Sequence, residues 1–201
     1  MVDNKNKNDN DGSSSYRQKQ VGVAKGMAAA ATTVVLGYTA TIIWTKEQTG
    51  KPSEYGIAPM KYAMQALFGP AVCLLLSIGR IASHRFFSSE DIDGSGLTTG
   101  TPKVKLLNAL LQNTLEQTAL AVPVYLASGV TLEDTPLALL PVTASLCFVI
   151  GRLFFVKGYR SGAPARAYGF AMTFYSTASL CFLNLGTIAW KLAGGKVPNS
   201  I

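Results

Sequence analysis

The sequence predicts an all-α integral membrane protein, a four-helix bundle preceded by one extra N-terminal transmembrane helix. Three observations carry this. Of 201 residues, 48% are hydrophobic and only 14% charged, and a mean hydropathy of +0.25 lies beyond the range of ordinary soluble domains. Five mostly apolar windows, near 22–44, 58–84, 104–129, 135–158 and 166–192, each reach the ~20 residues that a helix needs to cross a ~30 Å hydrocarbon core. With the exception of Arg152, the basic residues stand near or beyond the ends of these windows.

Taken in order, residues 1–21 open with "MVDNKNKNDNDGSSSYRQKQ", too polar to offset the entropy of ordering, and are expected to form a disordered cytosolic tail. The 22–44 window is longer than the ~7 to 15 apolar residues of a signal peptide and begins far from the start, which predicts a retained helix. The core domain is expected over 58–192. In it, Gly69-Pro70 and Pro123 predict kinks, because neighbouring helices satisfy the backbone groups that proline frees. Thr135-Pro136 is a favourable opening for the fourth window, and 193–201 form a short C-terminal tail.

Five spans place the N-terminal tail and the loops 85–103 and 158–166 on one side, with Arg17, Lys25, Arg85, Lys103, Lys157, Arg160 and Arg166 among their cations. The other side has Lys46, Lys51, Lys61, Lys191 and Lys196, and its short 130–134 loop carries only Glu133 and Asp134. The positive-inside rule then predicts a cytosolic N-terminus and a lumenal C-terminus, with Trp44 and Trp190 in an aromatic belt on the lumenal side. A formal charge of +7 scattered in this way forms no basic patch interleaved with aromatics, so nucleic acid is not an expected partner.

Other classes are excluded residue by residue. Cys73, Cys147 and Cys181 fall inside apolar runs and read as buried thiols, not as a disulfide framework. The single histidine, His84, has no ligand partner at metal spacing, so no metal site is expected. The loop "SSEDIDGSG", 88–96, lacks the spacing and final glutamate of an EF-hand and reads as a solvated acidic loop. Tyr168, Phe170, Phe174 and Tyr175 read as helix packing.

The anomaly is "QNTLEQTALAVPVYL", 112–126, a membrane helix that begins with an amide cluster and a carboxylate. Lys105, Ala109, Asn113, Glu116 and Leu120 share one helical face, which is expected to turn away from lipid. A carboxylate in the membrane needs a partner or a wet pocket, and Arg152, the one basic residue well inside an apolar run, is the candidate. Such a set reads either as an interhelical clamp or as a ligand site.

Two stretches, "LTTGTPKVKLLNALLQNTLE" and "GRLFFVKGYRSGAPAR", resemble the MAPEG family, membrane-associated proteins of eicosanoid and glutathione metabolism. The resemblance covers about 58–192 and implies a four-helix core, a homotrimer, an endoplasmic reticulum location, and glutathione bound between subunits at the cytosolic side. By that resemblance Asn113, Glu116, Arg152 and Tyr159 bind glutathione, and Arg166 stabilises its thiolate, as a fixed cation beside a thiol would. The chain departs from the pattern at three places. Ala109 stands where the enzymes have an arginine, Leu111 where they often have glutamine, and Phe155 where they have a tyrosine. Lys105, one turn before Ala109, offers a charge but not an arginine's fork.

The extra N-terminal span is also similar to the five-helix, mattrin-like branch of the family. Two functions therefore stay open: a glutathione-dependent transferase or peroxidase acting on lipophilic substrates, or a non-enzymatic membrane regulator or scaffold that keeps the fold. The first would take a lipophilic small molecule from the bilayer. The second would engage lipid or a membrane-protein partner.

Overall fold

A computed structural model describes residues 3–49, 59–94, 99–132 and 137–195, with 3–14, 48–49 and 59 described by backbone alone. The described residues form helices and turns only. Helix α1 runs Asp3–Thr49, α2 Pro59–Ala66, α3 Phe68–Phe86, α4 Pro102–Thr131, α5 Leu140–Gly158 and α6 Ala163–Leu192, with a short 3₁₀ turn at Tyr159–Ser161 between the last two.

Helix α1 begins at Asp3, so its backbone takes in almost all of 1–21. Helix propagation costs far less than nucleation, so an apolar span already held against the bundle extends readily into polar residues on its N-terminal side. The second window is broken rather than kinked. Pro70 has no N–H for the Ala66 carbonyl, and its ring crowds that same carbonyl, so the chain turns at Leu67 and restarts as α3. At Pro123, by contrast, α4 runs on without interruption. Thr135-Pro136 lies outside the described residues. Helix α5 opens with Pro141 in its first turn, the same favourable chemistry a few residues later.

Among the described residues, three stretches are long and apolar enough to cross a membrane: Ser15–Glu47, Met60–Phe86 and Leu140–Ser161. Five were expected. Helices α4 and α6 have 30 residues each and ample length, but α4 carries Gln112, Asn113, Glu116 and Gln117, and α6 a row of hydroxyls from Thr173 to Ser179. Their polar faces turn largely inward, with Thr114, Gln117, Thr118, Thr173, Ser176 and Thr177 buried.

The main apolar core joins α4, α5 and α6 through Tyr125, Phe148, Leu140 and Leu180, with Ala66 from α2. The extra helix packs on α6 along a seam of small residues spaced by four, Gly22, Gly26 and Ala30. A Cβ at Gly22 would sit 2.9 Å from the Pro164 side chain, and one at Gly26 would sit 3.1 Å from Ala167. Polar contacts fix its register: Thr33 with the Tyr168 hydroxyl at 3.2 Å, Tyr38 donating to the Ser176 carbonyl at 2.5 Å, and Thr41 with Thr143 at 2.6 Å.

Candidate functional site

The site grows from the α5–α6 hairpin. Gly162 has φ +94°, a left-handed conformation that admits glycine readily, and it lets the chain reverse within a few residues of the end of α5. Gly158 lies so close to the backbone of Ala165 and Arg166 that any side chain there would push α6 away. Tyr159 and Arg166 meet across this tight turn, the guanidinium carbon 4.6 Å from the ring centroid. The Tyr159 ring meets Phe155 edge-on at 5.3 Å, and Phe155 in turn lies 4.4 Å below the guanidinium of Arg152. Two rings in contact therefore lie between two cations along one row, each cation over a ring face where the quadrupole attracts it.

Arg152 is 3% exposed. Its Nη1 donates to Asn113 Oδ1 at 2.6 Å, and its Nε to Thr173 Oγ1 at 3.2 Å, so one side chain ties α5 to both α4 and α6. Nη2 is buried without a hydrogen-bond partner. Thr173 also donates back to the Gly169 carbonyl at 3.0 Å, which orients its oxygen toward the arginine.

The expected Glu116–Arg152 pair does not form in the protomer. Glu116 is exposed and accepts a hydrogen bond from Gln112 Nε2 at 3.0 Å. Three residues on from Asn113, at 3.6 residues per turn, it points about 60° further round α4, off the face that meets α5. Of the five expected site residues, the fold brings Asn113 to Arg152 and Tyr159 to Arg166, joins the two pairs through Phe155, and leaves Glu116 apart.

Three elements escaped the sequence reading. Thr173 completes the arginine's contacts, and nothing in its spacing marks it among the many hydroxyls of α6. At the opposite end of the bundle, Asn184 Nδ2 donates to the Val124 carbonyl at 3.1 Å and to Ser128 Oγ at 2.9 Å. Its Oδ1 accepts from Thr131 at 2.6 Å. An asparagine deep in an apolar window was the available signal for that knot.

The third element lies in the turn between α3 and α4. The "SSEDIDGSG" loop is not simply solvated, because Asp91 is 1% exposed and gathers four donors. These are the Thr101 hydroxyl at 2.6 Å, the Thr101 amide at 2.9 Å, Ser88 at 3.1 Å and His84 Nε2 at 3.1 Å. The Thr101 hydroxyl in turn caps α4 by accepting from the Val104 amide. These donors, Thr101 first, hold the Asp91 carboxyl down at about 2 against the opposing effect of burial.

A carboxyl depressed in the folded state contributes stability that is complete above the unfolded value near 4 and is lost as pH falls toward 2. Acid-resistant proteolysis should thus begin to cut the 87–101 turn only as pH drops through that window. Asp91→Asn should be cut at neutral pH as well. Equal cleavage of the two proteins at pH 7 would show that Asp91 does not hold the turn.

A helical bundle clamped by a buried arginine, with three stretches among the described residues fit to cross a bilayer, defines an integral membrane protein of the multi-helix class. Residues 60–186 match the model of the MAPEG family, and the chain belongs to that family. The match spans α2 to most of α6 and leaves α1 outside it. No curated protein and no solved structure matches the chain.

Proposed function

We propose that the chain is a non-catalytic member of its family, a membrane scaffold or regulator in which the glutathione-type residues serve as a helix clamp. The observation that carries this is the 2.6 Å bond from Arg152 to Asn113, made by a guanidinium that is almost wholly buried. Two residues that would grip a tripeptide grip each other instead.

The residues present fit glutathione poorly. Ala109 offers no cation, Phe155 has no hydroxyl and lies buried under Arg152, and Glu116 faces away from Arg152. Two lost charge-assisted contacts of ~1.5 to 3 kcal/mol each would weaken binding by about two to four orders of magnitude. A cytosolic N-terminus, an endoplasmic reticulum membrane and a homotrimer complete the proposal, supported by the distribution of cations and by family membership.

The second reading, a glutathione transferase or peroxidase, is favoured by one observation. Arg166 and Tyr159 are only half-buried and sit at the N-terminal end of α6, where the helix dipole also attracts anions. Titration of detergent-purified protein with millimolar glutathione separates the two. The scaffold reading expects no saturable binding in the wild type and an unchanged melting curve for Arg166→Ala. Saturable binding that Arg166→Ala abolishes would overturn it in favour of the enzyme.

A further inference from the structure

A cavity of about 730 Å³ lies apart from the clamp, toward the opposite end of the bundle. It opens between α1 and the α2–α3 pair, because the α1 backbone packs closely on α6 and α5 but not on α2 or α3. Its lining on α5 runs from Leu139 to Val149, which at 1.5 Å per residue is ~15 Å, half of a ~30 Å hydrocarbon core. Its three walls belong to Ser15–Glu47, Met60–Phe86 and Leu140–Ser161, the same three stretches that are apolar enough to cross a bilayer. The cavity therefore meets hydrocarbon sideways, in one leaflet. Because α1 lies outside the family match, this slot is created by adding α1 to the shared core.

The volume suits a single small ligand, for which ~300 to 1,000 Å³ is usual. The lining along α5 is apolar apart from the buried Ser145, while Trp44, Tyr62 and Gln65 lie nearest the helix ends, where amphipathic rings meet headgroups. An exposed amide in a lipid-facing wall needs a hydrogen-bonding partner, since hydrocarbon supplies none. A second transmembrane helix would need a groove through both leaflets, and this one ends at Val149. The geometry points to one acyl chain of a glycerolipid from that leaflet as the occupant, its chain along α5 and its ester carbonyl accepting from Gln65 or Tyr62. Neither Arg152 nor Arg166 takes part, so the site stands whether or not glutathione binds.

Trp44 lines the slot, and the chain has two tryptophans, so Trp190→Phe leaves one reporter in place. The full chain in detergent is titrated with phosphatidylcholine brominated on its acyl chains, and Trp44 fluorescence is read. The expected result is quenching that saturates near one lipid per chain. Ala40→Phe, which fills the slot from the exposed face of α1, should abolish the saturable part while the melting curve shows the variant folded. Gln65→Leu is a second variant that leaves the packing intact and should raise the half-saturating lipid concentration about tenfold. Quenching that merely grows in proportion to lipid overturns the site. So does saturation unaffected by both variants, saturation only with a brominated sterol, or no saturable quenching at all.

Discussion

Arg152→Leu is expected to lower the unfolding midpoint of the detergent-purified protein by roughly 6 to 12 °C, a loss of about 3 kcal/mol. Leucine replaces the apolar part of the side chain but leaves Asn113 Oδ1 and one lone pair of Thr173 facing an apolar surround. The cost is that of stranded polar groups, not of a lost cation alone. Adding Asn113→Leu should then recover about half the loss, because replacing both partners of a buried polar contact by apolar groups is close to neutral. Arg152→Lys should not recover it. An ammonium lacks the planar fork that reaches Asn113 and Thr173 at once while lying flat on Phe155. The buried thiol of Cys147 supplies the readout, through a thiol-reactive dye during a thermal ramp. Unchanged melting of Arg152→Leu would remove the clamp and, with it, the basis of the scaffold reading.

Gly169→Ala should be more damaging still, costing roughly 3 kcal/mol or more and most of the folded yield. A Cβ there overlaps the Phe155 amide nitrogen, and lies 2.6 Å from the Gly151 carbonyl oxygen and 2.8 Å from the Phe154 carbonyl carbon. All three are backbone atoms that no rotamer change can move, so α5 and α6 must separate. Separation would pull Arg152 from Thr173 and Tyr159 from Arg166 together. Gly186, on the same helix, has open space around its Cβ position. Gly186→Ala should be neutral or stabilising by ~0.5 to 1 kcal/mol, since alanine is the better helix former. Melting curves and purification yields of the two variants test the contrast directly. Similar behaviour would mean that the close approach of α5 and α6 is not required.

The helices were legible because membrane crossing demands long apolar windows, and the order of those windows survives in α1 to α6. Two were less legible as spans, since α4 and α6 hide their polar faces only once packed. The polar residues of the site could be picked out one by one, because an asparagine, a glutamate or an arginine inside an apolar run is conspicuous. Which of them would meet was not legible. Asn113 and Glu116 differ by three positions in sequence and by about 60° around the helix, and only the packing of α4 on α5 decides which faces Arg152. The loop aspartate shows the same limit. Asp91 looked solvated because it sits among Ser and Asp, yet its burial depends on Thr101, ten residues on, folding back to cap α4.

By itself the sequence determined an all-helical membrane protein with an added first helix, through composition and window length, and its family, through two motif-bearing stretches. Those properties are local, and a single helix exhibits them. The tertiary structure decided that Arg152 clamps Asn113 and not Glu116, that glycines set the separation of α5 from α6, and that α1 opens a slot beside α2. Each of these depends on which faces meet, and hydrogen bonds, steric overlap and cavities exist only between surfaces that folding has brought together.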